Sequence, residues 1–385
     1  MEVDVAVIGA GPAGSTLAAL LAGRGASVAL IDRDEFPRDK LCGEFLSYDA
    51  LPIIEPLGVL VEIDERQGAP RLTHCRVVGR RDTYEFEFPH AARGVSRMFF
   101  DDLLLRTAVR RGAIRLDGWT ADAIERDKVV AHRGEAVLEI KAKVVAGAWG
   151  RWGRFDAQLG RAFVRDRSHR NFGFKRHYFA AKQPDAIELY SFRRGYLGVN
   201  AIEGGLTNIC GLVHATRLTG HKGKWDAFVD IIRNEQPQLE RLYSRHEPAQ
   251  DGFLSSEPVI FRARSPVESG VFMVGDASGV IDPLTGNGMA MAVQSAMLLA
   301  PFVVRLLETP LDRVKIERDY RRKHRAMFAP RIAWSRRVAS LLSRPRLVDA
   351  LMRRIHSPRI GEMFLRRTRA AFADVERMAA DWFRV

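Results

Sequence analysis

The sequence predicts a two-lobed α/β protein. One lobe is an open parallel sheet around a dinucleotide site, the other an inserted antiparallel sheet, and a helical segment follows. Three observations predict it. A strand–glycine turn–helix opens the chain, strands with a period of two fill its middle, and the residues after 310 read as helix throughout.

The opening stretch carries the most information. Residues 3–8 (Val-Asp-Val-Ala-Val-Ile) are short and largely β-branched, as in a buried parallel strand. Gly9, Gly11 and Gly14 then stand at the G-x-G-x-x-G spacing, with Pro12 and Ala13 between the last two. The first glycine permits a sharp turn, the second lets a pyrophosphate approach the backbone, and the third lets helix and strand pack closely. Ser15 to Ala22 continues as a helix of small apolar residues, whose first N–H groups and positive dipole end suit phosphate. A second strand, Ser27 to Ile31, runs into Asp32, which stands 18 positions beyond Gly14. That is where a ribose 2′-hydroxyl needs an acceptor.

Composition bounds the rest. At 385 residues, 46% hydrophobic and 28% charged, the chain is a globular protein too long for one simple core. Its three cysteines, Cys42, Cys75 and Cys210, are widely spaced and odd in number. They predict neither a disulfide framework nor a metal site and point to a reducing compartment. Glu2 and the immediate strand do not read as a signal peptide. The most apolar helix, Met289 to Val304, reads as too short to span a bilayer. The expected location is cytoplasmic, with peripheral membrane association left open. The net charge of +13 is concentrated: residues 313–369 hold 18 Lys+Arg against 4 Asp+Glu. Such a segment attracts an acidic carrier protein, a membrane surface, a CoA thioester or nucleic acid, or is simply a solvated helical face.

Along the chain, residues 33–46 read as a charged loop, and Ser47 as the cap of a helix from Tyr48 to Leu57, stopped by Gly58. Leu72 to Val78 and Thr83 to Phe88 read as strands, and Ser96 to Arg111 as a helix with Phe99, Phe100, Leu103, Leu104 and Ala108 on one stripe. Ile114 to Leu116 is a short strand. Hairpin-like segments follow over 119–140 with a turn at Gly134, and then the apolar strand Lys143 to Ala148. From Phe172 to Leu212 four antiparallel strands are expected, half exposed. Trp225 to Leu242 is helical, 270–275 is one more buried strand, and a long helix begins near Met289. The final helices are expected to break at Pro330, Pro345 and Pro358. The lobes are therefore drawn as 1–71, 96–154 and 263–309 for the dinucleotide, 72–95 and 155–262 for the substrate, and 310–385 for the helical region.

A second constellation lies at 272–292. A strand ends at Gly275-Asp276, then comes a Pro- and Gly-rich turn, then a helix of small residues. Asp276 can accept hydrogen bonds from a polyol, and Gly286, Asn287 and Gly288 open a helix whose N–H groups suit a negative charge. A flavin carries a ribityl polyol and, when reduced, a negative charge at one edge. One G-x-G-x-x-G with two such turns points to a single extended dinucleotide, FAD.

Three stretches carry a family resemblance: Gly9 to Gly14, Arg97-x-x-Phe100-Asp101-x-x-Leu104, and Gly275-Asp276-Ala277 with Pro283-x-x-Gly286-x-Gly288. Over residues 1–310 or so, the chain resembles the FAD-dependent superfamily of para-hydroxybenzoate hydroxylase, geranylgeranyl reductases and flavin-dependent halogenases. Phe36-Pro37-Arg38-x-Lys40-x-Cys42-Gly43-Glu44 is similar to the geranylgeranyl-reductase and halogenase-like branch. The resemblance implies a cofactor set of Gly9, Gly11, Pro12, Ala13, Gly14, Asp32, Arg33, Cys42, Gly43, Arg97, Ala121, Asp276, Gly286, Asn287 and Gly288. In it Asp32 would hold the adenosine ribose, Arg97 the pyrophosphate region, Ala121 the adenine through its backbone, Asp276 the ribityl chain, and Gly286 to Gly288 the flavin pyrimidine.

Two departures stand out. Trp149 occupies the place of the Asp of the hydroxylases' Asp-Gly pair, and Trp149 and Trp152 are spaced W-x-x-W where halogenases carry W-x-W-x-I-P. Halogenation therefore ranks below the other activities. Cys42 either tunes the flavin or fills space as a small apolar group. Glu44 is expected to pair with Lys40 or Arg38. Arg176 and Tyr178 share a strand face with Phe172 and Phe174, opposite Lys175 and His177; the resemblance implies that this strand helps roof the flavin, which makes the two candidate catalytic residues, with plain sheet packing as the alternative. The leading expectation is an NADPH- or NADH-dependent monooxygenase that hydroxylates an aromatic or polyene-like small molecule through a flavin C4a-hydroperoxide. Alkene reduction by hydride from flavin N5 comes second, and a non-catalytic electron-transfer module third. No metal and no nucleic acid are expected.

Overall fold

The structure is a computed structural model and describes every residue except 67, 167–170, 181–183, 219–223, 355–356, 358 and 385. The chain opens with β1 (Glu2–Ile8), α1 (Pro12–Ala22) and β2 (Val28–Asp32). Next come β3 (Phe45–Leu46), α2 (Leu51–Ile54), α3 (Val59–Glu65), β4 (Arg71–Val78) and β5 (Thr83–Gly94). Helix α4 (Arg97–Arg110) is capped by the Ser96 side chain, which accepts from Phe99 N–H. Then β6 (Ile114–Asp117), β7 (Thr120–Ile124), β8 (Lys128–Arg133), β9 (Ala136–Gly147) and α5 (Arg154–Gln158) follow.

The middle holds β10 (Asn171–Ala180), β11 (Ala186–Phe192), β12 (Gly195–Ala201) and β13 (Leu206–His214), then α6 (Trp225–Glu235) and α7 (Pro237–Tyr243). Short strands β14 (His246–Pro248), β15 (Leu254–Ser255), β16 (Val267–Glu268) and β17 (Val271–Met273) lead to α8 (Gly288–Glu308). The chain closes with α9 (Arg313–Leu342), α10 (Pro345–Met352), α11 (Arg359–Thr368) and α12 (Phe372–Phe383).

Two sheets result. The first runs β16-β17-β9-β1-β2-β6, with β7 and β8 attached beside β9. Its parallel core places Val5 between Val28 and Val144. The second runs β14-β10-β13-β12-β11-β4-β5-β3 with β15 on β10. The main core lies between them: α1 and α8 pack on the first sheet and α4 on α1, while Ile187, Leu189, Tyr196 and Leu212 of the second sheet join the same cluster.

Five expectations change. The 119–140 segments and the 143–148 strand are not separate, because β9 runs unbroken from hairpin to sheet centre. The four strands after 171 are not half exposed. One face packs Phe174, Tyr178, Phe192 and Val199 on Phe228 and Ile232 of α6, and the other joins the main core. Ser47 does not cap a long helix; only a short turn and α2 follow it, and its hydroxyl accepts from Arg369 Nε. Pro330 does not end a helix: α9 runs through it for 30 residues, since Phe328, Arg331 and Ile332 are buried on either side of an exposed proline. Pro345 does start a new helix, and Pro358 lies outside the described residues. Helix α8 has 21 residues, longer than expected and apolar enough by composition to cross a membrane, but it packs on α1, α9 and α12.

Candidate functional site

The glycine turn is built by close contacts. Gly9 has φ +106°, and a Cβ there would lie 2.4 Å from Ala148 O. A Cβ on Gly14 would lie 1.8 Å from Gly9 O, so strand and helix meet there only without side chains. Gly11 is different: its Cβ would meet only Arg97 Nη2 at 3.7 Å and Arg38 Nη2 at 3.9 Å. Two guanidinium groups thus flank the space over the turn, which suits a pyrophosphate. Both are oriented by the buried Asp101, which accepts from Arg97 Nε and Nη2 at 2.7 and 2.6 Å and from Arg38 Nη1 at 2.7 Å. Burial works against the Arg97 charge, but Asp101 outweighs it and holds the pKa above the ordinary arginine value. Pro12 begins α1 with no N–H to leave unpaired.

Asp32 ends β2 with both oxygens oriented: Oδ2 accepts from Ala10 N at 2.6 Å and Oδ1 from Asp34 N at 3.0 Å. Lone pairs remain for a ribose hydroxyl. Arg33 is exposed beside Asp34. Ala121 sits on β7 with its carbonyl 3.2 Å from Arg154 Nη1.

The second turn adjoins the first, since a Cβ on Gly275 would lie 2.8 Å from Ala13 Cβ. Burial raises the pKa of Asp276, with Arg151, Arg264 and Arg97 opposing. Gly286 is left-handed at φ +62° and lies against Phe45. Gly43 and Gly288 would meet nothing within 4 Å, so open space lies over both backbones, as a flat ring system requires. The first N–H groups of α8 follow Asn287. These residues fit FAD.

The structure does not place Arg176 and Tyr178 with them. Their strand face turns to α6 and α7: Arg176 Nη1 binds Asp226 at 3.0 Å, and the Tyr178 ring lies 5.9 Å from that of Tyr243. The opposite face reaches the 39–44 loop. Lys175 Nζ lies 2.7 Å from both Asp39 Oδ1 and Glu44 Oε1, and His177 Nε2 lies 2.6 Å from Glu44 Oε2. Glu44 therefore pairs with neither Lys40 nor Arg38. Its φ of +53° turns the side chain under β10, while Lys40 binds Asp34. Asp39, Glu44 and His177 could surround a cation, and the Lys175 ammonium lies between the two carboxylates. Burial alone would depress the Lys175 pKa, but Glu44 and Asp39 hold it above the ordinary lysine value. Alternation in the sequence separates the two faces of β10; it carries no sign of which one meets the loop.

Cys42 is half-buried beside Arg97, accepts from Glu44 N at 3.4 Å, and offers its carbonyl to Asn208 Nδ2 at 3.1 Å. Cys75 and Cys210 are buried, and burial pushes both thiols up to about 12. Trp149 folds back on the glycines: a Cβ on Gly147 or Gly153 would clash with its ring, and its Nε1 donates to Asp156 at 3.3 Å.

A parallel sheet with a glycine turn, two oriented arginines and a second glycine-bearing turn beside it defines a dinucleotide-binding flavoprotein fold. The profile of the family described as "FAD binding domain" matches residues 2–219, and the chain belongs to that family. It is 29% identical over 318 residues to a digeranylgeranylglycerophospholipid reductase of Methanothermobacter thermautotrophicus, covering 77% of this chain and 76% of that protein. It is 28% identical over 321 residues to a 1H-pyrrole-2-carbonyl-[peptidyl-carrier protein] brominase of Pseudoalteromonas luteoviolacea, covering 79% and 78%. The fold is shared with a myxobacterial chondrochloren halogenase at a TM-score of 0.77 and 20% identity, over 99% and 96% of the two chains. The chain is thus an FAD-dependent oxidoreductase by family.

Proposed function

We propose that this flavoprotein is an NAD(P)H-dependent monooxygenase that hydroxylates an aromatic or polyene-like small molecule. The net reaction joins substrate, O₂, NAD(P)H and a proton to give hydroxylated product, water and NAD(P)⁺. Bound FAD supplies the electron store and the oxygen activation. The residues bind, orient and exclude water. Arg38 and Arg97 hold the pyrophosphate, Asp32 and Asp276 the two sugar-like ends, and the Lys175–Glu44–His177 cluster anchors the loop that carries Cys42 and Gly43.

One observation carries the choice of oxygen transfer over reduction. The buried donors Lys175, by the 39–44 loop, and Tyr196, by the turn at 282–284, are already committed. Lys175 spends its protons on Asp39, Glu44 and the Lys40 carbonyl, and Tyr196 gives its hydroxyl proton to Asp282 at 2.5 Å. Oxygen transfer to an electron-rich carbon consumes one proton overall, which solvent can supply, and asks for none at the substrate carbon. Alkene reduction does: hydride reaches one carbon and a proton must reach the other. Cys42 favours that second reading, because its half-buried thiol is the one sulfhydryl beside the cofactor loop. The chain departs from the halogenases in its W-x-x-W spacing.

The reading extends to delivery. One relative acts, by its name, on a peptidyl-carrier-protein-bound pyrrole. On α9 and α11, Arg337 and Arg367 lie over the Trp334 ring at 5.9 and 5.3 Å, with Arg336 and Arg366 exposed beside them. This cationic, partly apolar face suits an acidic carrier protein.

The experiment is turnover of candidate aromatic and polyene substrates with NAD(P)H in air, by wild type and Cys42→Ala, with product masses measured. One added oxygen, unaffected by C42A, supports the proposal. Two added hydrogens, lost in C42A, replace it with alkene reduction. Incorporated chlorine or bromine replaces it with halogenation. Rapid electron passage to a protein with no product replaces it with electron carriage.

A further inference from the structure

The C-terminal helices reach the flavin turn with two buried arginines. Arg331, on α9, donates through Nη2 to Asn287 Oδ1 and through Nη1 to Gln294 Oε1 at 2.8 Å. Arg369, between α11 and α12, donates through Nη2 to Thr285 O at 2.9 Å and through Nε to Ser47 Oγ at 2.9 Å. Each side chain is about 95% withdrawn from solvent, with relative exposures of 5%. Thr285 and Asn287 are the two neighbours of Gly286. The guanidinium groups therefore grip the turn on both sides of the residue that adopts φ +62°.

The grip is completed from below. Fully buried Asp49 accepts from Asn287 Nδ2 at 2.9 Å, from Gln294 Nε2 at 2.9 Å and from Ala370 N at 3.1 Å. It also pairs with Arg331 at 3.4 Å. The Asn287 amide thus spends its oxygen on Arg331 and its nitrogen on Asp49, which fixes the entry angle of α8. The aim of the first N–H groups of α8 follows from that angle.

We propose that Arg331 and Arg369 are positioning residues that set how strongly the turn at Gly286–Gly288 prefers reduced over oxidised flavin. This rests on the reading of that turn as the flavin pyrimidine site. The physical argument is one of aim. A helix N-terminus stabilises a negative charge only over its first turn, so a small rotation of that turn weakens it. Reduced flavin carries the negative charge and oxidised flavin does not, so loosening the clamp must cost the reduced form more.

The test compares wild type with Arg331→Met, Arg369→Met, Arg331→Lys and Arg369→Lys, with Lys315→Gln/Arg318→Gln as a charge control on the exposed start of α9. FAD affinity is measured by fluorescence titration and the two-electron potential against reference dyes. The Met variants are expected to lose about tenfold in preference for reduced over oxidised FAD, a shift of about 30 mV to more negative potential. The Lys variants, which keep charge but lose the fork, are expected to lose several-fold. The control is expected to match wild type. If the Met variants do not fold, the Lys variants decide. An unchanged potential in every folded arginine variant overturns the proposal, even where the melting temperature falls. A wild-type protein that takes up no FAD overturns the reading of the turn itself, and the clamp with it.

Discussion

Lys175 and Glu44 meet at 2.7 Å with neither side chain exposed to solvent. The pair joins β10 of the second sheet to the 39–44 loop. Removing one partner of a buried ion pair leaves a charge with neither water nor counter-ion, at a cost of about 3–5 kcal/mol. Lys175→Met, which leaves Asp39 and Glu44 facing each other, is expected to lose that much in urea unfolding. Glu44→Gln keeps Lys175 paired with Asp39 and is expected to lose less.

Gly11 separates cofactor binding from folding. Its Cβ position is free of backbone and lies under Arg97 and Arg38. Gly11→Val is therefore expected to fold with a near-normal melting temperature and to bind FAD at least tenfold more weakly by fluorescence titration. Gly14→Val, whose Cβ would meet Gly9 O at 1.8 Å, is expected to lose the fold as well.

His324 makes stability pH-dependent. It is buried, bonded to Ser278 Oγ at 2.9 Å, and burial lowers its pKa to about 3. Between about pH 6.5 and that value the unfolded chain binds a proton that the folded one refuses. The folded state therefore keeps its full stability above about pH 6.5 and loses about 1.4 kcal/mol per unit as pH falls below it. His324→Gln retains a side chain able to bond Ser278 and cannot titrate. Urea midpoints at pH 7.5, 6 and 5 are expected to fall more steeply in wild type than in H324Q.

The cationic face on α9 and α11 is tested by salt. An electrostatic partner is expected to bind several-fold more weakly at physiological ionic strength, where the Debye length is about 8 Å, than at low salt. Arg336, Arg337, Arg366 and Arg367 changed together to Gln are expected to give the same loss at low salt with FAD content unchanged. Equal KM for a carrier-bound and a free substrate, in both proteins and at both salts, would leave this face as a solvated surface.

What was legible in the sequence is what is local. Gly9 to Asp32 could be read because strand, turn, helix and strand follow one another within a single unit, with Gly9 and Gly14 demanded by backbone contacts. Asp276 to Gly288 is likewise local, a turn running into a helix with Gly286 at a positive φ. Arg176 and Lys175 show the limit. Alternation puts them on opposite faces, but a sheet covered on both sides gives both faces buried residues, and only the partner elements decide which one meets the cofactor loop. Arg331 and Arg369 show it again. In sequence they are two of eighteen cations in a basic segment, and nothing local marks them as the two that turn inward. The reading of Glu44 failed for a related reason: its side-chain partners Lys175 and His177 stand more than a hundred residues away, while two nearer cations lay in plain view.

The place of β1 in the first sheet bears on how the protein is made. Val5 is flanked by Val28 on one side and Val144 on the other. The first neighbour leaves the ribosome almost at once, the second only after the hairpins have been synthesised. At about 5–20 residues per second this interval lasts roughly six to twenty-three seconds. Throughout it the nascent chain carries an apolar strand with an open edge, the arrangement most prone to pairing with a stray strand. The second cofactor turn and its arginines emerge later still. A flavin held by both turns, as proposed, meets its complete site only after the second turn has been synthesised, well after the first.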